Sequence, residues 1–260
     1  MKKVGVLYIC SGEYWRFWEG FYQSSEQLFL KDCDVEYFRF TDYDPFLKES
    51  ISNVTSIYQE PLEWPFPTLL RYNLFYDSRD TFKNVDYLIF CNANLKFAKL
   101  ITIDDLLDSK LMFATLHPGW YGKDYRKFPF ETNENSLAFI ERDENSKYVC
   151  GGFNGGDRLS FLKMSKALSD AIESDLKQDV IACWHDESHF NKFFNDQQKI
   201  FNLLSPSFCS PENKSLGLDE KVTVLIKDKV IGVKNKGLSY LLRYYLLKYL
   251  EKLLRILGLR

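Results

Sequence analysis

Histidine is scarce in this 260-residue chain, and net charge is nearly absent: three His, and a formal charge of -2. That balance gives no bulk electrostatic reason to expect a nucleic-acid partner. The six Cys contain no C-x-x-C pair and no framework spacing, and several lie in apolar runs, as buried thiols do. This argues against a disulfide scaffold and for a reducing compartment. The start, Met1-Lys2-Lys3-Val4, carries no long apolar segment and no small-residue cleavage site. The expectation is therefore no signal peptide, no membrane anchor and a cytoplasmic location. A G-x-G-x-x-G fingerprint is also missing, so nothing points to a dinucleotide.

What is abundant is aromatic, at 17% of residues. Surplus rings serve as platforms for sugars or bases, although an aromatic-rich core accounts for most of them. The few histidines are concentrated. His185 and His189 lie in Ala182-Cys183-Trp184-His185-Asp186-Glu187-Ser188-His189, and His117 lies in His117-Pro118-Gly119-Trp120-Tyr121-Gly122. Three readings fit Trp184 to His189. It is a helix start, with Asp186 and Glu187 near the positive end of the dipole and capping free amides. Or His185 and His189, four apart on one helix face, bind zinc, though the metalloprotease pattern wants Glu where Asp186 stands. Or the pair of carboxylates faces the electron-poor anomeric carbon of a sugar on which an indole stacks.

The length suffices for one sizeable core. Apolar runs at Val4 to Cys10, Val35 to Thr41 and Val85 to Cys91 read as strands, the first feeding a helix from about Tyr14 to Leu30. After the break Trp64-Pro65-Phe66-Pro67, Thr68 is expected to cap a helix to about Phe82. Further strands are expected at Leu111 to Leu116, Ser136 to Ile140, Tyr148 to Phe153 and Val222 to Ile226, with an amphipathic helix over Arg158 to Leu176. This alternation argues for an open α/β sheet of nucleotide-binding type. The tail, Leu238 to Arg260, has basic and leucine-rich sides. It reads as an amphipathic helix that meets an anionic membrane peripherally, docks on the body or pairs in a dimer.

Asn92-Ala93-Asn94 ends the most apolar strand, where an open α/β sheet lines its ligand crevice. Two Asp there would grip a hard cation on a diphosphate, whereas neutral amides are far weaker ligands. Cys150-Gly151-Gly152-Phe153-Asn154-Gly155-Gly156 would let a ligand or another backbone approach closely. Lys227, Lys229, Lys234 and Lys236 form a basic run suited to a solvated face or to a lid over a diphosphate.

Four stretches in one order carry a resemblance: Phe40-Thr41-Asp42, His-Pro-Gly-x-Tyr-Gly at His117 to Gly122, Gly-Gly-Phe-x-Gly-Gly at Gly151 to Gly156, and Trp-His-Asp-Glu-Ser-His-x-Asn-Lys at Trp184 to Lys192. From Val4 to about Lys229 the chain resembles glycosyltransferase family 6, which holds the mammalian blood-group A and B transferases and bacterial relatives. The resemblance implies a Rossmann-like, GT-A type α/β fold in a single catalytic domain, residues 1–237, with a mostly parallel central sheet and a C-terminal helix over 238–260.

It also implies roles for particular residues. Glu187 matches the carboxylate that attacks or stabilises the anomeric centre in a retaining transfer. Asp186 and Arg71 match residues on the donor sugar, and Tyr8, Ile9 and Tyr14 fall in the loop that cradles uracil. His117, Trp184, His185 and Cys150 match the acceptor side, and Lys227 a lid cation on the diphosphate. Asn92 and Asn94 stand where the family's Asp-x-Asp metal motif falls, which resembles metal-independent bacterial members; Mn2+ is the alternative. Donor choice follows the residues matching Cys150, Gly151 and Gly152, and Gly152 resembles members that admit an N-acetyl group. The implied partners are UDP-N-acetylgalactosamine, or UDP-galactose, and a fucosylated galactose, giving a blood-group-A-like glycan on lipopolysaccharide. The family's Tyr-Glu-Arg-Arg run reads Phe130-Glu131-Thr132-Asn133 here, and Pro129 replaces a hydroxyl-bearing residue. A zinc hydrolase and a non-catalytic glycan-binding module are the rival readings.

Overall fold

The computed structural model describes residues 1–231. Strands run in the order β1 (Lys3–Ile9), β2 (Asp34–Thr41), β3 (Val54–Tyr58), β4 (Tyr87–Cys91), β5 (Leu95–Phe97), β6 (Met112–Leu116), β7 (Val149–Asp157), β8 (Phe201–Leu204), β9 (Ser210–Pro211) and β10 (Val222–Val224). Among them lie the helices α1 (Trp18–Leu28), α2 (Asp44–Lys48), α3 (Phe66–Leu69), α4 (Arg71–Asp77), α5 (Ile103–Leu107), α6 (Arg158–Lys177), α7 (Asp186–Asp196) and α8 (Lys227–Ile231). Met1–Ile226 form one compact unit, and Lys227 begins a second. The expected helix over 238–260, and the expected boundary before it, lie outside the described residues. No helix among the described residues is long and apolar enough to cross a membrane.

A seven-stranded sheet in the order β3-β2-β1-β4-β7-β6-β8 forms the centre, and β5-β10-β9 make a smaller sheet. The large sheet is parallel except for β7, which runs antiparallel between β4 and β6. That reversal positions the site. The glycine-rich start of β7 comes to the same edge as the carboxyl ends of β4 and β6, with Cys91 opposite Phe153 and Leu116 opposite Val149. Asn92, His117 and Gly151 thereby leave neighbouring strands on one side of the sheet.

The apolar runs become strands because both faces of the sheet are covered. Leu7, Phe38, Phe90 and Met112 pack with Tyr72 and Phe75 of α4, Phe161 and Met164 of α6 and Phe190 of α7. Eighteen of the 22 Phe are buried, so the aromatic surplus builds core. Each such ring contributes about 1.5–3 kcal/mol by leaving water. Trp184 and Trp64, at 51% and 41% exposure, are among the exposed aromatics.

Three local expectations are corrected. The helix expected from Tyr14 opens as a 3-10 segment, Gly12–Phe17, before α1. Thr68 does not cap a long helix: it lies inside α3, donates its hydroxyl to the Pro65 carbonyl at 2.9 Å, and a break at Leu70 separates α3 from α4. Ser136 to Ile140 is not a strand. Leu137 N–H is drawn to the Asp175 carboxylate at 2.9 Å, and only a single bridge, Glu131 to Phe139, remains of the pairing.

Candidate active site

α7 begins at Asp186, so the helix-start reading of this stretch is right about position. It is incomplete about chemistry, because both carboxylates are engaged elsewhere. His185, at the helix entrance, holds φ 55 and ψ -128, a strained conformation for a residue with a side chain. The sharp turn this makes aims Asp186 and Glu187 at the start of β7.

There the strand is bulged. Ala114 pairs with Asn154 and the next residue, Thr115, pairs with Cys150, so Gly151, Gly152 and Phe153 loop out of register. Such bulges re-aim a strand beside a site. This one is closed by Thr115, whose hydroxyl donates to Phe153 O at 3.0 Å, and by Asn154, whose amide donates to Gly151 O at 3.1 Å. The freed Gly151 N–H donates to Glu187 Oε2 at 2.8 Å. Tyr148 OH donates to Glu187 Oε1, also at 2.8 Å. Two donors on two oxygens fix the carboxylate plane, and burial beside Glu187 raises the Tyr148 phenol so that it remains a donor. Asn191, fully buried one turn on, bonds Glu187 O and both polar groups of the Val149 backbone, locking α7 to β7.

Asp186 is buried, with Oδ2 2.9 Å from Arg71 Nε. Yet the Nε–H is directed at Thr68 O (3.3 Å), so Oδ2 keeps the ion pair but no aligned hydrogen bond. Burial raises this carboxyl to about 7, against the pull of Arg71 and with a push from Glu187. An acceptor atom left over beside a cation is what a bound hydroxyl would satisfy. Arg71 also donates to Gly151 O at 3.3 Å and stacks over Phe90 at 4.7 Å. A β-carbon on Gly151 would lie 3.5 Å from Glu187 Oε2 and 3.7 Å from Asp186 Oδ2, while one on Gly152 would lie 3.3 Å from Asn92 Nδ2. Gly151, Gly152, Asn92, Arg71, Asp186 and Glu187 therefore meet at one place.

The remaining expected residues have surroundings of their own. Ile9 and Arg71 line a cleft with Ser11, Gln59, Glu60 and Phe66. Tyr14 is half-buried in the 3-10 segment, 6.0 Å from the Phe17 ring. Tyr8 turns its ring into the core, where its hydroxyl donates to Ala93 O at 2.9 Å and so braces the turn between Asn92 and Asn94. Asn94 is buried with Nδ2 donating to Leu225 O at 2.8 Å. Cys150 is buried, its thiol pushed up by a hydrogen bond with Cys209 and by burial. Lys227 opens α8, in the second unit.

The three histidines have different partners. His185 packs edge-on against Trp64 at 5.0 Å and is pushed down to about 4 by burial and the Arg71 charge. His117 faces Tyr148 at 5.6 Å, accepts Gly119 N–H on Nδ1, and is lowered by burial. His189 is buried, its Nε2 3.5 Å from Asp175. No group of three His, Cys, Asp or Glu able to hold a metal ion occurs among the described residues. Tyr148 and Asn191 were passed over in the sequence. Tyr148 sits three residues before Gly151, a spacing that names no partner, whereas Asn191 lies four after Glu187, one helical turn on.

The sequence profile of glycosyltransferase family 6 matches residues 2–235. The chain belongs to this family. Its relatives include the O-antigen biosynthesis glycosyltransferase WbnI of Escherichia coli, 31% identical over 226 residues, or 87% of this chain and 95% of WbnI. The histo-blood group ABO system transferase 1 of Rattus norvegicus is 29% identical over 79% of the chain and 60% of its own length. The globoside alpha-1,3-N-acetylgalactosaminyltransferase 1 of Mus musculus is 28% identical over 81% and 62% respectively. The chain thus spans nearly all of the bacterial relative and under two thirds of the mammalian ones. As a family 6 glycosyltransferase it is a hexosyltransferase that takes a nucleotide-sugar donor and a glycan acceptor, and its sheet fits a GT-A-like fold.

Proposed function

We propose that this enzyme moves N-acetylgalactosamine from UDP to the 3-hydroxyl of a galactose with retention, the acceptor carrying a fucose. The observation that carries the reading is Glu187, held by Tyr148 and Gly151 beside Asp186 and a bulge whose Gly152 faces Asn92 with no side chain between. The lean to an N-acetyl donor rests on the resemblance at Gly152, whose backbone lies against the Asn92 side chain, and Asp186 Oδ2 has the spare acceptor capacity to take a sugar hydroxyl. Glu187 supports positive charge on the anomeric carbon as its bond to the diphosphate breaks. The electron pair leaves with UDP, the acceptor oxygen forms the new bond, and its proton passes to the departing diphosphate. Exposed Trp184, with His117 and His185, offers the acceptor a stacking surface and polar edges.

We further propose that transfer needs no divalent metal. Asn92 and Asn94 present neutral amides where two carboxylates would grip a hard cation, and amide oxygens without a carboxylate beside them make a weak ligand set. One experiment tests both claims: mass-spectrometric product analysis with UDP-galactose and UDP-N-acetylgalactosamine competing for fucosylated and unfucosylated lactose, with and without EDTA. The expected product is the N-acetylgalactosaminyl derivative of fucosylated lactose in both conditions. A galactosyl product overturns the donor, and a loss in EDTA reversed by manganese overturns metal independence.

A further inference from the structure

The acceptor surface depends on a tryptophan that is half in solvent, and such a side chain gets little orientation from packing. Its backbone must therefore be held. Both amides at this point are held by side chains: Trp184 N–H donates to Ser188 Oγ at 3.0 Å, and Cys183 N–H donates to Glu131 Oε2 at 2.6 Å. Ser188 is local, one turn into α7. Glu131 comes from a loop 52 residues away in sequence.

Glu131 is buried at 6% exposure, and its other oxygen, Oε1, accepts Thr132 N–H and Asn133 N–H, both at 2.8 Å. Three amides on one carboxylate make charge-assisted bonds, shorter and stronger than those to a neutral acceptor. The two bonds from its own loop fix Oε1, so the reach of Oε2 to Cys183 is fixed with it. The preceding residue, Phe130, packs with Phe128, Ile140 and Tyr148 in a satellite core, and Tyr148 bonds Glu187. Adjacent residues of one loop thus bear on the catalytic carboxylate and on the acceptor platform.

We propose that Glu131 is the positioning residue for acceptor binding, setting the place of Trp184 relative to Glu187 without touching either substrate. The proposal rests on Trp184 being the acceptor platform. The test uses the full chain with UDP-N-acetylgalactosamine and fucosylated lactose, comparing wild type, Glu131→Gln and Trp184→Ala. It measures acceptor KM, donor KM, donor hydrolysis without acceptor, and hydrogen exchange of the amides at 183 and 184. Glu131→Gln keeps the shape but replaces one oxygen by a donor. Acceptor KM should rise about tenfold, roughly the worth of one hydrogen bond to a charged group. Donor KM and hydrolysis should stay near wild type, and exchange at Cys183 should speed up.

Unchanged acceptor KM in Glu131→Gln alongside a raised one in Trp184→Ala overturns the role of Glu131 and leaves the platform standing. An unchanged acceptor KM in Trp184→Ala removes the platform and the proposal together. Parallel loss of hydrolysis and transfer in Glu131→Gln makes the residue merely structural and also overturns it. Should that variant fail to fold, Glu131→Asp, which keeps the charge and shortens the reach, carries the same expected split and the same refutation.

Discussion

Replacing Glu187 by Gln isolates its charge from its shape. The carboxylate accepts Tyr148 OH and Gly151 N–H, each at 2.8 Å. In the variant the amide oxygen turns to Gly151, whose N–H cannot reverse, and the amide nitrogen faces Tyr148, whose hydroxyl can rotate to accept. Both contacts survive, so the bulge keeps its form and unfolding should shift by less than about 1 kcal/mol. What disappears is a unit negative charge that, on the proposed role of Glu187, faces the anomeric centre. At about 4 Å and an effective dielectric near 20 that charge is worth about 4 kcal/mol to a developing cation. A hundredfold fall in turnover corresponds to about 2.7 kcal/mol, so kcat should drop by at least that much while the donor dissociation constant barely moves. Steady-state transfer with calorimetric donor binding would read both. Near-normal kcat would refute the catalytic placement of Glu187, and a large loss of donor affinity would assign it to binding instead.

Tyr148→Phe deletes one hydrogen bond to that carboxylate, and kcat should fall about tenfold with little change in donor affinity, by the same assay. Asn191→Ala leaves both polar groups of the Val149 backbone unpaired in the interior and should destabilise by about 3 kcal/mol, read by denaturant unfolding. A pH series compares wild type with Asp186→Asn. The Asp186 carboxyl is raised from 3.8 to about 7, so it binds its proton more tightly when folded; its contribution is full below 3.8 and lost as pH rises to about 7. His185 and His189, both lowered by burial, run the other way, losing stability as pH falls below their ordinary range. The difference between the two proteins cancels them. The variant should gain on wild type by up to about 4 kcal/mol between pH 4 and 7, and a flat difference would refute the buried-carboxyl account.

The strands at Val4, Val35, Val85 and Leu111 were legible because a sheet covered on both faces writes itself as unbroken apolar residues. β3, Val-Thr-Ser-Ile-Tyr, was not, since it lies at the sheet edge with no fully buried residue. Helix α6 was read nearly to the residue from its periodicity, with Asp157 at its N-cap accepting from Leu159 and Ser160 N–H. At the site, the motif residues Asp186, Glu187, Arg71, Gly151 and Gly152 do meet. Tyr148 escaped notice because nothing in a lone Tyr before an apolar pair declares a partner 39 residues on. Nor could spacing show that β7 runs against its neighbours, which is a property of the sheet and not of any one stretch.

The detour at residues 151–153 has a bearing on how this enzyme can change. One kinked peptide supplies the amide that steadies the Glu187 carboxylate, and the next brings its backbone against the Asn92 side chain. On the proposed roles of Glu187 and Gly152, selectivity and speed are mechanically joined through a single pair of glycines. A lineage drifting toward a different sugar by substitution there would disturb its own turnover at the same step, and compensating changes would be expected first in Asn154, Thr115 or Asn92, the side chains that brace the kink or face it.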